Sequence, residues 1–520
     1  MPGAQMEASS ADFETQSITI ALTQEPPQLN SMKATDQVSI FLLGHVSEGL
    51  LRYDRRGRLV AGVAERWLID DQGATFWLRK NARWSDGYPV TAYDFVFAWQ
   101  NALDPAMASE YAFILYPVKH AEAINKGELD KSHLGVTAVD KYTLKVEFER
   151  PCGYFLKLAA FVTYNPVRQD FVESKGEQYA ADATDLLYNG PFKMTEWMHS
   201  SSLKMVKNDS YWNKDAITLR EINADYITSD TTARLNLYKD GKIVLTRLDI
   251  ETLKSALKQK YKIRKFTTGS VFYIEYNFRD GRPTRNINLR RAMQAVFDPH
   301  ELVNKVLATP GNLPGYSLFP VWLDGVNDKF RKEYPVRKFS VDLAKGREYM
   351  EKARADLGLE RIPPLILLVG DSPNAAKQAE YLQGLFKSTL NLDIKIDIQT
   401  FKQRLAKMTS GEFDMVAAGW GPDFDDVMTF GDLFASWNLN NRGRYHNPVY
   451  DDFVRRALNT SVERIRMDAM GELQRIIVED VVVLPEYEQG VVYLQNPKLK
   501  GVVRRVVGSD PDYTYARVIQ

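Results

Sequence analysis

The residues best equipped for chemistry lie together in GWGPDFDD, from Gly419 to Asp426. Asp423, Asp425 and Asp426 follow a Gly-Trp-Gly-Pro turn at the end of the apolar run EFDMVAAGW. A carboxylate in that place can stand at the C-terminal edge of a strand, where α/β crevices bind ligands. If desolvated, it favours a cationic group such as an ammonium. A solvated loop or a helix N-cap accounts for the same spacing equally well. Other machinery is missing. The histidines, His45, His120, His133, His199, His300 and His446, are scattered, with no pair at helical metal-ligand spacing. There is no Gly-x-Ser-x-Gly elbow and no phosphate-binding Gly-x4-Gly-Lys-Ser/Thr loop. Gly419-Trp420-Gly421 lacks the third glycine of a dinucleotide fingerprint and runs into Pro422, which has no N–H to offer a phosphate. The single cysteine, Cys152, excludes an internal disulfide and a Cys-x-x-Cys site, and reads as a small buried residue.

The elements that would position these residues are legible as patterns. SITIALT (Ser17 to Thr23) alternates as a half-buried strand and stops at Pro26-Pro27, while residues 1–16 read as a disordered lead-in. GLLRYDRRGRLVAGVAERW suggests a hairpin with its turn at Gly57. After the strand ATFWLRK, Asp86-Gly87 marks a turn and Thr91 an N-cap; Phe95, Ala98, Trp99, Ala102 and Leu103 then share one helical face. Leu289, Ala292, Met293, Val296 and Phe297 form another stripe, with Arg290 and Arg291 expected on the opposite face. PLILLVGDSP, a helix from about Ala376 to Leu390, and DIKIDIQTF make a strand-helix-strand unit with parallel strands, followed by the strand EFDMVAAGW. A helical stripe also runs from Leu343 to Leu357. A long helix from Val462 to Glu479 precedes VVVLPEYEQGVVYLQ, which reads as two strands about Gly490.

Composition narrows the function. The chain has 520 residues, is 44% hydrophobic and 26% charged, and balances 67 basic against 67 acidic residues. That is a globular composition, long enough for about three domains, and its neutrality does not favour nucleic acid or an anionic membrane as partner. No run reaches the ~18 apolar residues of a membrane-spanning helix. The N-terminus has neither a basic start nor an apolar core, so no secretory leader is read. Aromatic residues make up 12%, which suits either core packing or pockets for varied apolar ligands.

Several separated motifs occur in one order: VAERWLIDDQGATFWLRKNARWSDGYPVTAYDFVFAWQ, YNGPFKMTEW, NDSYWNKD, NINLRRAMQAVFDPHELVNKV and FDMVAAGWGPDFDD. Together they resemble the family 5 extracytoplasmic solute-binding receptors of ABC importers, over nearly the whole chain from about Ser17. The resemblance implies an α/β, two-lobed periplasmic-binding-protein fold (class II-like, cluster C) with an extra inserted domain and a closing ligand cleft between the lobes. On this chain lobe I would comprise 17–47, 167–268 and 488–520, the insert 48–166, and lobe III 269–487, with hinges near Gly269 and Tyr487. It implies a non-enzymatic receptor for short peptides, working as a monomer with membrane permease and ATPase subunits, without cofactor, metal or nucleic acid. The location would be periplasmic, with a leader removed.

By the same resemblance, Asp423 matches the acid that pairs with the peptide α-ammonium. Thr35, Asp36 and Gln37, and the stretch Ala417 to Gly421 that includes Gly419 and Trp420, match strands that pair with the peptide main chain. Tyr111, Tyr273, Phe401, Trp420 and Tyr487 match aromatic positions near the ligand. The chain also departs from the family. Leu307, Ala375, Met408 and Ala417 stand where basic or imidazole side chains often meet the ligand carboxylate, and none of them can pair with one. An acidic residue matching Thr35 is absent, and a frequent cysteine pair appears as Ser270 and Gly421. Arg247 is a candidate replacement anion partner, or a plain surface arginine. The same fold with another ligand (a cell-wall peptide, opine, sugar, haem or metal chelate) and a peptide-acting enzyme using the Asp423 to Asp426 carboxylates are the competing readings.

Overall fold

A computed structural model describes residues 9–520. The chain forms two compact units, one running to Arg264 and resuming at Val492–Gln520, the other spanning Lys265–Val491. The backbone therefore passes between them twice.

In the first unit a five-stranded sheet has the order Ala11–Asp12, Ser17–Leu22, Glu221–Ile227, Ser202–Lys207, Phe192–Met198. Ile18, Ile20 and Leu22 point into the core, as the alternation requires. Part of the expected disordered lead-in is ordered: Ala11–Asp12 pairs antiparallel with Ser17–Leu22, and residues 1–8 lie outside the described residues. The hairpin Leu51–Tyr53/Leu59–Ala61 turns at Gly57, whose φ of 73° only glycine adopts without strain. A four-stranded antiparallel sheet, ordered Ala64–Ile69, Gly73–Leu78, Thr143–Glu147, Val136–Asp140, accompanies the helix Ala92–Leu103. That helix starts with a capping box between Thr91 and Asp94, and all five of its expected core residues are buried. Burial lifts the Asp94 carboxyl to about 6, against the N–H groups of Thr91 and Trp84 that hold it. Cys152 is buried.

The second unit is built on the strand-helix-strand pattern. Leu365–Val369 runs parallel to Ile394–Ile398 on one side and to Met415–Trp420 on the other. Met415–Trp420 pairs antiparallel with the long strand Arg264–Tyr276. The helix Pro373–Leu390 supplies the crossover, capped by Ser372 at its start and by Asn391 in the left-handed conformation at its end. It joins Ile287–Val296 and Leu343–Leu357 over one sheet face, where Leu289, Met293, Leu365, Leu367, Phe386 and Met415 form a core.

Two expectations fail here for identifiable reasons. Arg290 is not on the solvent face. It is buried and donates to the carbonyls of Val481, Thr284, Arg285 and Asp480, so its charge is held by loop carbonyl oxygens. The segment about Gly490 is one continuous strand, Val483–Gln495, not two. Gly490 serves close approach instead of a turn: a Cβ there would lie 1.9 Å from the Gly311 carbonyl oxygen.

Candidate functional site

The edge of Met415–Trp420 is the starting point. Its first half pairs on both sides, since Met415 and Val416 meet Leu367 and Leu368 while facing Tyr276 and Glu275. From Ala417 to Trp420 only the Arg264–Tyr276 side remains paired, through Ile274, Tyr273, Phe272 and Val271. The parallel neighbour ends its pairing at Leu368, which leaves one edge of the strand's C-terminal half without a strand partner among the described residues. That edge opens onto a groove of about 630 Å³ walled by the sheet and by the start of Pro373–Leu390.

Side-chain parity sorts the groove's residues. Phe272 and Ile274 lie on the groove face, with Ala417 and Gly419 opposite them. Phe272 stacks on Tyr487 with centroids 4.9 Å apart and planes 10° from parallel. Gly419 is required beneath this pair, because a Cβ there would come within 2.7 Å of the Phe272 ring. Gly421, Phe401 and Tyr487 also line the groove, so these expected residues are brought together; Trp420 ends the strand beside them, but its parity turns its ring away, toward Thr429. Tyr273 is not. Its parity turns it to the opposite face, where it is buried edge-on to Phe434. Ser270 and Gly421 are neighbours, since a Cβ on Gly421 would lie 3.1 Å from Ser270 Oγ.

Just past the strand, Thr429 fixes the loop. Its hydroxyl oxygen accepts from Trp420 Nε1 at 3.3 Å and from the Asp423 N–H at 3.2 Å. The Asp423 carboxyl is half-buried, and no cation pairs with it among the described residues. Burial alone lifts it to about 6. Asp426, three residues on, is spent structurally: it is buried, accepts the Met428 N–H and forms an ion pair with Arg466.

Of the four positions that lack a basic residue, Ala375 and Ala417 line the groove. Leu307 belongs to the hydrophobic core, and Met408 packs against Leu368, Phe413 and Val416. The groove does contain a guanidinium that sequence reasoning missed. Arg404 lines it with Nε buried and unbonded, and Nη1 reaches the Ala417 carbonyl only at 3.4 Å. The signal was available: Arg404 lies three residues after Phe401, on the same helix face. Glu486 was missed as well, although a charge inside VVVLPEYEQGVVYLQ is conspicuous.

The remaining expected residues belong to the first unit. Thr35 to Gln37 is not a strand: Thr35 is irregular, Asp36 caps the helix Gln37–Val46 by accepting the Ser39 N–H at 2.9 Å, and Gln37 is its first residue. Tyr111 stands edge-on to Phe161 with centroids 5.5 Å apart. Arg247, on Leu245–Leu248, is exposed, and no carboxylate pairs with it among the described residues. Packing and the neighbouring Arg504 both pull its pKa down.

This geometry can now be set beside known proteins. A model described as "Bacterial extracellular solute-binding proteins, family 5 Middle" matches residues 58–442. The chain belongs to this family. It is 31% identical over 498 residues to the oligopeptide-binding protein OppA of Bacillus subtilis, covering 94% of this chain and 90% of that one. It is 30% identical over 473 residues to the periplasmic OppA of Salmonella typhimurium, covering 89% and 84%. The solved structure of Listeria monocytogenes OppA bound to peptide superposes with a TM-score of 0.73 at 31% identity, covering 97% of this chain and 99% of that one. The family 5 chain shares the two-lobed α/β fold of such structures. Its family is one of binding proteins, not enzymes, and among the described residues no helix is long and apolar enough to cross a membrane.

Proposed function

We propose that the protein is the extracytoplasmic receptor of an ABC importer for short peptides, which pairs the ligand's α-ammonium with Asp423 and its main chain with the edge at Ala417 to Trp420. Family membership sets the class, and the name of the Listeria relative's structure records a bound peptide. One observation carries the assignment on this chain. A half-buried aspartate without a cation stands directly after a strand edge whose partner has ended. An added strand satisfies main-chain groups whatever its side chains, and a single acid then fixes the end of the ligand that carries the amine. The stacked Phe272–Tyr487 pair gives varied side chains an aromatic surface.

In this reading lobe I (17–47, 167–268, 488–520), an inserted domain (48–166) and lobe III (269–487) close over the ligand. Thr35 to Gln37, Tyr111 and Arg247 contribute from the first lobe, and Asp36 does so while capping its helix. The protein acts as a periplasmic monomer that delivers to membrane permease and ATPase subunits. Calorimetry with di- to pentapeptides tests it. Wild type binds free-amine peptides, N-acetylated peptides bind far more weakly, and Asp423→Ala loses the distinction. Equal binding of acetylated and free peptides would sink the ammonium assignment.

A further inference from the structure

We propose that the groove of the second unit receives a positively charged ligand side chain, with the carboxylate of Glu486 as its counter-ion. The proposal rests on the peptide-receptor reading and names the class of residue that such a peptide carries.

Glu486 is 3% exposed and lines the groove, yet its Oε2 has no hydrogen-bond partner among the described residues. The other buried acids of the same unit are provided for. Glu275 accepts the Gly443 N–H at 3.0 Å, and Glu488 accepts the Val321 N–H at 2.9 Å with Arg331 at 3.9 Å. Asp414 accepts the Ile366 N–H at 2.7 Å, and Asp426 holds Arg466. An orphaned carboxyl in an apolar strand costs stability, and a role toward a ligand accounts for its presence.

The surroundings favour a cation. Two acids, Glu486 and Asp371, share the groove wall with one guanidinium, Arg404, and no ion pair joins Arg404 to either among the described residues. Phe272 and Tyr487 provide faces for the methylene stem and the charge of a long basic side chain. The titratable groups around Glu486 are Tyr276 on the adjacent strand, Tyr487 beside it, Glu488 with Arg331 two residues on, and Asp371 and Arg404 elsewhere in the wall. None supplies a compensating charge, and burial pushes the Glu486 carboxyl up to about 8. With no cation beside it, burial favours the protonated form of this carboxyl. A lysine or arginine side chain docking against it releases that proton to solvent, so binding tightens as pH rises.

A tetra-alanine peptide series tests this, with each position in turn replaced by lysine, norleucine or glutamate. At one position lysine binds about tenfold tighter than norleucine at pH 8.5, and the ratio shrinks at pH 6.5. At neutral pH the binding heat of that lysine peptide varies with buffer ionisation enthalpy, reporting a released proton. Glu486→Gln brings the ratio to about one and removes the buffer dependence. Equal binding of lysine and norleucine at every position in wild type overturns the proposal without recourse to the variant. So does a ratio that survives in Glu486→Gln, or a preference for glutamate, which would give the groove to Arg404. If no member of the series binds, the peptide-receptor reading itself fails; if all bind alike, only this assignment does.

Discussion

The strand Met415–Trp420 has an aspartate just beyond each end, and the two live in opposite circumstances. Asp414, before the strand, is buried and accepts the Ile366 N–H, with Arg282 at 3.4 Å; its carbonyl accepts the Asn277 N–H at 2.9 Å. Asp423, after the strand, has its backbone N–H anchored on Thr429 but no cation at its carboxyl among the described residues. One acid is consumed in joining strands. The other is desolvated and left uncompensated, at the end of the strand where α/β sheets hold their ligands. The difference separates an aspartate that builds the unit from one that, in the proposed reading, is held for a ligand.

The largest expected effect is on that second acid. Asp423→Asn lowers affinity for free-amine peptides by about 100-fold at pH 7.5, the scale for losing one partner of a desolvated charge pair, as calorimetry would measure. The same substitution slightly raises the melting temperature of the empty protein, because it removes an unpaired charge. Asp414→Ala does the reverse. It costs about 3 kcal/mol of stability and lowers Tm by roughly 5–10 °C, with a much smaller change in affinity. If Asp414→Ala abolished binding in a folded protein, or Asp423→Asn unfolded it, the contrast would collapse.

A pH series sharpens it. Burial lifts the Asp423 carboxyl to about 6, and the proposed ammonium partner needs it ionised. Affinity is therefore flat above pH 7 and falls by up to about tenfold per unit below 6, and Asp423→Asn flattens the curve. For stability the sign is opposite to that of a paired acid. A carboxyl raised above its unfolded value favours folding in acid, and that contribution is lost as pH rises through about 6. The smallest effect belongs to Thr429→Val, which removes the hydroxyl that holds Trp420 and the Asp423 N–H. A loss of about 1 kcal/mol, five- to tenfold in affinity, is expected, with the Asp426–Arg466 pair intact.

What was legible in the sequence was whatever repeats with a period. The stripe of Leu289 to Phe297, the capped helix after Thr91 and the parallel pair about Pro373–Leu390 are local patterns, and each formed as read. Arg290 escaped because a charge on a helix is ordinarily solvated, and the carbonyls of Val481 and Asp480 that bury it are distant in sequence. Gly490 escaped because a glycine between apolar runs signals a turn as readily as a close backbone contact, and Gly311 is invisible from that window. At the candidate site, the position of Asp423 after an apolar strand was legible. Tyr273 was misplaced by one step of strand parity, which resemblance alone does not resolve. Arg404 and Glu486 went unread because the groove that gives them meaning is assembled from segments distant in sequence.

The open edge from Ala417 to Trp420 has a cost beside the use proposed for it. Main-chain groups able to accept a strand from a ligand can also accept one from another protein copy, the geometry that seeds aggregation. Pro422 follows two residues after the strand, and a residue with no N–H to donate limits how far such pairing could spread. An occupied edge is a protected edge. A receptor kept loaded should therefore outlast an empty one in storage and on heating, by more than the affinity of its ligand alone accounts for.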